Sequence, residues 1–210
     1  ASGRYHADHR HASVYPVNCK KGAPACQNAD GAPFYITKGN ESVLKLVKME
    51  RKYAPQLFEM MDEWSAAKEK IIPWAIRKCD YHDLEKYIDG LDVLEGDETH
   101  VPDSTFFCLD TERNIFVGAV NIRHYLNEKL LHDGGHIGDG IRPSERGKGY
   151  GTQMIALALR ECDRLGIRRV LMCCDRDNAA SARTIQKNGG VLENEIDVDG
   201  VPVQRYWIER

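Results

Sequence analysis

Residues 138–152 read Gly-Asp-Gly-Ile-Arg-Pro-Ser-Glu-Arg-Gly-Lys-Gly-Tyr-Gly-Thr. A strand-like pattern, His136 to Ile141, runs into this glycine-rich stretch, and a helical pattern leaves it. Such a junction is an anion site. Glycines let several backbone N–H groups converge on one point, and the helix N-terminus adds roughly half a positive charge. Arg146 and Lys148 bring full charges, so a diphosphate is the natural guest. Two common diphosphate loops do not fit. A Walker A loop needs Gly-Lys-Ser/Thr, but Lys148 is followed by Gly149. A Gly-x-Gly-x-x-Gly fingerprint ends on Thr152 when started at Gly147 and on Met154 when started at Gly149. The spacing present is Arg-x-x-Gly-x-Gly, at Arg146, Gly149 and Gly151.

Other groups invite chemistry but have simpler readings. Cys173-Cys174 lies in an apolar run, where thiols pack as small hydrophobes. Asp175-Arg176-Asp177 suits a solvated turn between strand and helix. Trp64 and Trp74 fit a core or rim as well as an acceptor wall. Glu63, Asp80 and the run Glu95-Gly96-Asp97-Glu98 could attract a cation, though solvation explains the run. His6, His9, His11, Cys19 and Cys26 match none of the usual zinc spacings, so no metal site is expected.

The elements that must hold the loop follow from periodicity. Val43 to Lys48 alternates as a strand, and Tyr53, Leu57, Met60, Met61 and Trp64 mark a helix over about 53–68. Asp80 to Ile88 suggests a short helix closed by Gly90. Residues 105–109 and 115–122 read as a hairpin across the turn Asp110 to Asn114, followed by a polar loop over 127–135. A helix over 148–165 ends at Gly166, and a buried strand spans 169–174. Asp177 or Asn178 caps a helix that runs to Asn188, and strands near 191–197 and 202–209 flank Asp199-Gly200. This order predicts an α/β (α+β) fold, a mixed sheet with helices on its faces.

Composition narrows the partners. The 210 residues carry 29 Lys+Arg against 32 Asp+Glu, a net charge of −3, so nucleic acid is not an expected partner. No apolar run reaches the ~20 residues of a membrane span, and the polar start shows no signal-like stretch. Seven scattered cysteines, an odd number, suit a reduced, cytoplasmic chain. Residues 1–42 contain no Leu, Met or Trp and read as an N-terminal extension or added leader, with the domain over 43–210.

The loop, its flanking strand and helix, and the later run from Asp177-Asn178 to Lys187-Asn188-Gly189 together resemble the GNAT superfamily of N-acetyltransferases. In particular the chain is similar to bacterial predicted acetyltransferases with an Ile-Arg-Pro-Ser-Glu-Arg type loop. The resemblance covers about 43–210. It implies a mostly antiparallel central sheet whose fourth and fifth strands splay. It implies acetyl-CoA as co-substrate, its pyrophosphate on Arg146, Gly147, Lys148, Gly149, Tyr150, Gly151 and Thr152, with Asn178 on the later helix close by. The pantetheine arm would lie along the backbone of Ile141 and Arg142, and an N–H near Gly140–Ile141 would hold the developing oxyanion. Counting ten residues back from Arg146 reaches His136, a base position in some relatives; Asp139 is the runner-up, on the opposite face by alternation. The tyrosine that many relatives use to protonate coenzyme A is replaced by Ile185, leaving Tyr206 as a candidate and Tyr150 as a structural residue. The implied reaction is direct acetyl transfer to a primary amine of a small molecule or peptide, by a monomer or homodimer. The alternatives are a non-catalytic acyl-CoA-binding module, or a longer acyl donor admitted by Gly138 and Gly140.

Overall fold

The computed structural model describes residues 43–97 and 99–210. The histidines and cysteines of the first segment, and Glu98 of the acidic run, lie outside the described residues. The strands are β1 (Leu44–Val47), β2 (Asp103–Asp110), β3 (Ile115–Arg123), β4 (Ile137–Ile141), β5 (Arg169–Asp175), β6 (Val191–Val198) and β7 (Val201–Glu209). The helices are α1 (Ala54–Ala66), α2 (Leu84–Gly90), α3 (Tyr150–Arg164) and α4 (Ala179–Lys187). The expected order is therefore present; α1, α3 and α4 end a few residues inside the predicted limits, and α2 starts four residues late and runs through Gly90. Four short elements are additional: 3-10 turns at Arg51–Tyr53, Trp74–Ile76 and Pro143–Glu145, and a π-helical turn at Leu130–Gly134 inside the stretch read as loop.

The strands form two antiparallel sheets, β1-β2-β3-β4 and β5-β7-β6. Both faces of the first sheet are covered. Met154, Ile155, Ala158, Leu159 and Cys162 of α3 pack with Val117, Val120, Ile122 and Ile137. Leu57, Met60, Met61 and Trp64 of α1 pack with Phe107, Phe116 and Ala119. Each buried Val, Leu, Ile, Met or Phe among them contributes roughly 1.5–3 kcal/mol. The two layers fix α3 under β4, and so fix the loop between them.

The sheets divide between β4 and β5. The amide of His136, just before β4, donates to the Leu171 carbonyl of β5 (2.7 Å), and no ladder continues from there. The phase of the β3–β4 ladder decides which groups face the opening. Arg123 N donates to His136 O and Arg142 N donates to Val117 O. Even-numbered residues of β4 thus bond to β3, and the backbone of Ile137, Asp139 and Ile141 faces the gap.

Candidate active site

The gap opens into a cavity of about 790 Å³. Its walls include Asp139, Gly140 and Ile141 of β4, the loop residues Glu145, Arg146, Gly147 and Gly149, and Tyr150, Gly151 and Thr152 of α3. Asn178, Ser181, Arg183, Thr184 and Lys187 of the α4 segment complete one side, and Glu69, Lys70 and Ile72 the other. The structure therefore gathers most of the sequence-predicted residues in one place. Those outside the lining are His136, Arg142 and Lys148.

The loop geometry explains its glycines. Gly147 and Gly149 have φ of +76° and +83°, in the left-handed region that side chains disfavour. Gly149 caps α3, and a Cβ on either residue would meet nothing within 4 Å. The space in front of the first helical amides is open, and those amides have no intrahelical carbonyl to bond. Gly151 is ordinary backbone; its Cβ would sit 3.7 Å from Ile141 and Thr184, a normal contact.

The side-chain charges expected to meet the anion are engaged within the protein. Lys148 Nζ lies 3.2 Å from Glu145 Oε2, and Arg146 Nη1 lies 2.6 Å from Glu69 Oε2. Arg146 Nε also donates to the Ile141 carbonyl at 3.0 Å. Arg142 departs further from its expected role. Its amide bonds to Val117, its carbonyl accepts from Glu145 N, and its buried guanidinium meets Glu59 and Glu63. Neither backbone group is open to an added strand, so Arg142 is a structural tie between β4 and α1. Gly140 contributes shape, since its own backbone belongs to the β3 ladder. Its Cβ would lie 2.4 Å from the Ile72 carbonyl, which packs there instead. A Cβ at Gly138 would likewise stand 3.1 Å from both terminal nitrogens of Arg123. The room anticipated beside these two glycines is already filled.

His136 and Asp139 differ sharply. His136 is buried, and its Nδ1 accepts a hydrogen bond from Leu171 N at 2.9 Å. In the neutral ring the hydrogen must then sit on Nε2, which leaves no lone pair to take a proton. Burial, helped by Arg123, lowers its pKa to about 4. His136 is a hinge between β4 and β5, which corrects its expected role as base. Asp139 lines the cavity, and burial raises its carboxyl to about 6 against the opposing pull of Arg123.

The other candidates resolve as packing. Ile185 is buried, and Tyr206 is a core residue whose hydroxyl donates to Gln204 Oε1 at 2.7 Å. Trp64 is fully buried, whereas Trp74 is exposed and stacks on His100. Burial pushes the Cys173 thiol up to about 12 and raises that of Cys174 as well. Asn178 caps α4, its Oδ1 accepting from Ser181 N.

Sequence reasoning missed the brace beneath the loop. Arg113, in the β2–β3 turn, donates to Asp110 Oδ2 (2.9 Å), to both oxygens of Glu145 (3.0 and 2.9 Å) and to the Tyr150 hydroxyl (2.9 Å). Asp110 and Glu145 are both buried. Burial works to raise the Asp110 pKa, but hydrogen bonds led by Arg113 outweigh it and hold that carboxylate low. The Arg113 hydrogen bond is the main cause of the lowered Glu145 pKa. One guanidinium thus joins the two ends of the loop. An arginine in a polar turn carries no signal of this; its partner lies 32 positions away.

The family described as "Acetyltransferase (GNAT) domain" matches residues 44–191, and the chain belongs to the GNAT acetyltransferase family. Three solved structures share its fold. One is RimL, a ribosomal L7/L12 alpha-N-protein acetyltransferase in complex with coenzyme A (19% identity, TM-score 0.58, covering 80% of this chain and 95% of that one). Another is the microcin C7 self-immunity acetyltransferase MccE with acetyl-CoA and AMP (19%, 0.57, 83% and 98%). The third is a spermidine N-acetyltransferase SpeG chimera from Vibrio cholerae and hSSAT (18%, 0.53, 80% and 96%). At these identities the likeness is one of fold. No curated protein matches the chain.

Two substitutions test the geometry. Arg113→Met leaves two buried carboxylates without their main partner and should cost about 2 kcal/mol, discounted because Arg113 is itself partly exposed. That corresponds to roughly 4–8 °C in a thermal melt; an unchanged melting temperature would deny the brace. Gly149→Ala should destabilise the fold through its left-handed φ by about 1 kcal/mol, roughly 2–4 °C in the melt, while Gly151→Ala should be neutral. Equal effects at the two positions would contradict the loop geometry.

Proposed function

We propose that this chain is an acetyl-CoA-dependent N-acetyltransferase that moves the acetyl group directly to a primary amine. The observation that carries this reading is the parted β4–β5 pair leading to the open amides of α3. That combination fits a long carrier with a diphosphate at one end and a thioester at the other. Gly147, Gly149 and the first α3 amides would hold the diphosphate. The outward-facing N–H of Ile141 would donate to the oxygen that gains charge. Neighbouring structures hold coenzyme A or acetyl-CoA, and neighbours include acetyltransferases of a ribosomal protein and of spermidine, which supports the donor and leaves the amine class broad. The domain is proposed as 43–210, with 1–42 as an extension. Cys79, Cys108, Cys162, Cys173 and Cys174 are free thiols, as a reducing cytoplasm keeps them. Among the described residues no helix is long and apolar enough to cross a membrane.

Asp139 is the proposed base. The amine nitrogen forms the C–N bond as the C–S bond breaks, and the amine proton passes to the Asp139 carboxylate, directly or through water. Tyr150 is tied to Arg113 and Tyr206 lies in the core, so the thiolate leaves without a dedicated tyrosine acid. An acyl-enzyme is disfavoured because burial keeps the adjacent thiols protonated.

Free-thiol release with acetyl-CoA and a panel of amines tests the activity. Turnover with at least one amine supports it; binding of acetyl-CoA without turnover across the panel favours a non-catalytic module. Asp139 must be charged to act, so the rate should fall as pH drops through about 6. Asp139→Asn should lower kcat by about 100-fold and erase that limb. A surviving limb would remove Asp139 from the mechanism. Because the folded-state pKa is raised, the ionised carboxylate penalises the fold above about pH 6 and not below about 4. Asp139→Asn should therefore melt higher than the parent at pH 7.5 and no higher at pH 4.

A further inference from the structure

The two faces of β4 differ. Asp139 projects toward α3, because its cross-strand partner Val120 packs with that helix. Gly138 and Gly140 face the α1 side, where Ala119, the partner of Gly140, packs with α1. On that side two groups stand where side chains would be. The Ile72 carbonyl lies over Gly140, next to the Ile141 N–H, and accepts from no donor among the described residues. The Arg123 guanidinium lies over Gly138, with Nη1 and Nη2 each 3.1 Å from where a Cβ would stand.

Arg123 is a charge that the protein leaves unanswered. It is part-buried, and its one side-chain hydrogen bond is long, 3.4 Å from Nη1 to the Gly134 carbonyl. Asp103 sits opposite it on β2 but accepts from the Val93 amide at 2.9 Å. No carboxylate among the described residues forms an ion pair with Arg123. Burial lowers its pKa, Asp103 leading the opposing influences, and the guanidinium stays charged. Arg113 and Arg142, by contrast, each meet two carboxylates. A planar fork held partly out of water with its donors unused is complementary to a carboxylate.

We propose that Arg123 binds a carboxylate of the acceptor, so that the amine acetylated belongs to an amino acid or a similar amino-carboxylate. This names the acceptor class of the acetyltransferase reading above and rests on it. Gly138 and Gly140 are two strand residues apart, about 7 Å. A carboxylate in the Arg123 fork sets an amine a few bonds away beside Gly140. There the Ile72 carbonyl accepts one of its hydrogens, and the thioester stands next to the Ile141 N–H. With Asp103 and Asp139 close by, one guanidinium suits a singly charged carboxylate better than a phosphate dianion. Arg123 touches only the acid of the substrate, so it sets specificity and KM and takes no part in the proton transfer.

Free-thiol release by the full chain with acetyl-CoA tests this on paired acceptors: α-amino acids, β-alanine and 4-aminobutyrate, each against its carboxamide. The carboxamides have the less basic amine, so a preference for the acids does not arise from the amount of free amine. The parent should turn over the best acid with a kcat/KM roughly tenfold to a hundredfold above that of its carboxamide. This comparison uses the parent alone and does not depend on the folding of any variant. Arg123→Met should bring the ratio to about threefold or less, chiefly through a higher KM for the acid, and Arg123→Lys should restore part of it. A carboxamide as good as its acid in the parent, a ratio unmoved by Arg123→Met, or turnover confined to amines without a carboxylate overturns the assignment while the acetyltransferase reading stands. No turnover of any amine overturns both.

Discussion

Backbone hydrogen bonds that the fold leaves unmade set the character of this protein. A sheet ordinarily pairs every interior strand on both edges. Here β4 is paired with β3 along its length and meets β5 only at its start. The outward N–H groups of Asp139 and Ile141, and the first amides of α3, thus point into the same opening, while the Ile141 carbonyl is taken by Arg146 Nε. Such groups are favourable only when water or a ligand completes them. The hydrophobic layers on either side hold the opening in place, since α3 and α1 each pack on the first sheet through fully buried side chains.

Electrostatics then sort the site into parts. Arg113 ties Asp110, Glu145 and Tyr150 together, and Arg142 ties Glu59 and Glu63 to β4. Both guanidiniums act on the loop from behind, and Glu63 also accepts from the amide of Ser144 at 2.7 Å. Carboxylates on two other elements hold the loop, Glu63 of α1 at Ser144 and Asp110 of β2 at Tyr150. The open groups of the loop are backbone amides, and its own cations, Arg146 and Lys148, are paired with Glu69 and Glu145. Asp139, in contrast, is a carboxylate whose ionisation burial opposes, which places its pKa where a base is useful.

Much of this was legible in the residue order, for physical reasons that differ by element. The α3 and β5 limits followed from periodicity and from Gly166. The glycines at 147 and 149 were legible as special backbone because left-handed φ and open space are local properties, whereas Gly151 is ordinary helix. Charge pairing is not local. Glu145 stands only three residues before Lys148, but nothing near Arg146 shows that Glu69, far back in the chain, meets it. His136 failed for a related reason: its partner, the Leu171 amide, lies on a different sheet. Alternation along β4 did foresee that Asp139 and His136 separate, and the cavity takes Asp139. The π-helical turn at Leu130–Gly134 had no sequence signature, being only a polar stretch.

Hydrogen–deuterium exchange of the chain with and without coenzyme A reads the unmade bonds directly. While the amides of Gly138 and Gly140, which face β3, stay protected in both states, the amides of Asp139 and Ile141 and the first amides of α3 should exchange freely alone and become protected on binding. Saturating coenzyme A that leaves those amides exchanging as before, or protects a different face of the protein, would contradict the account.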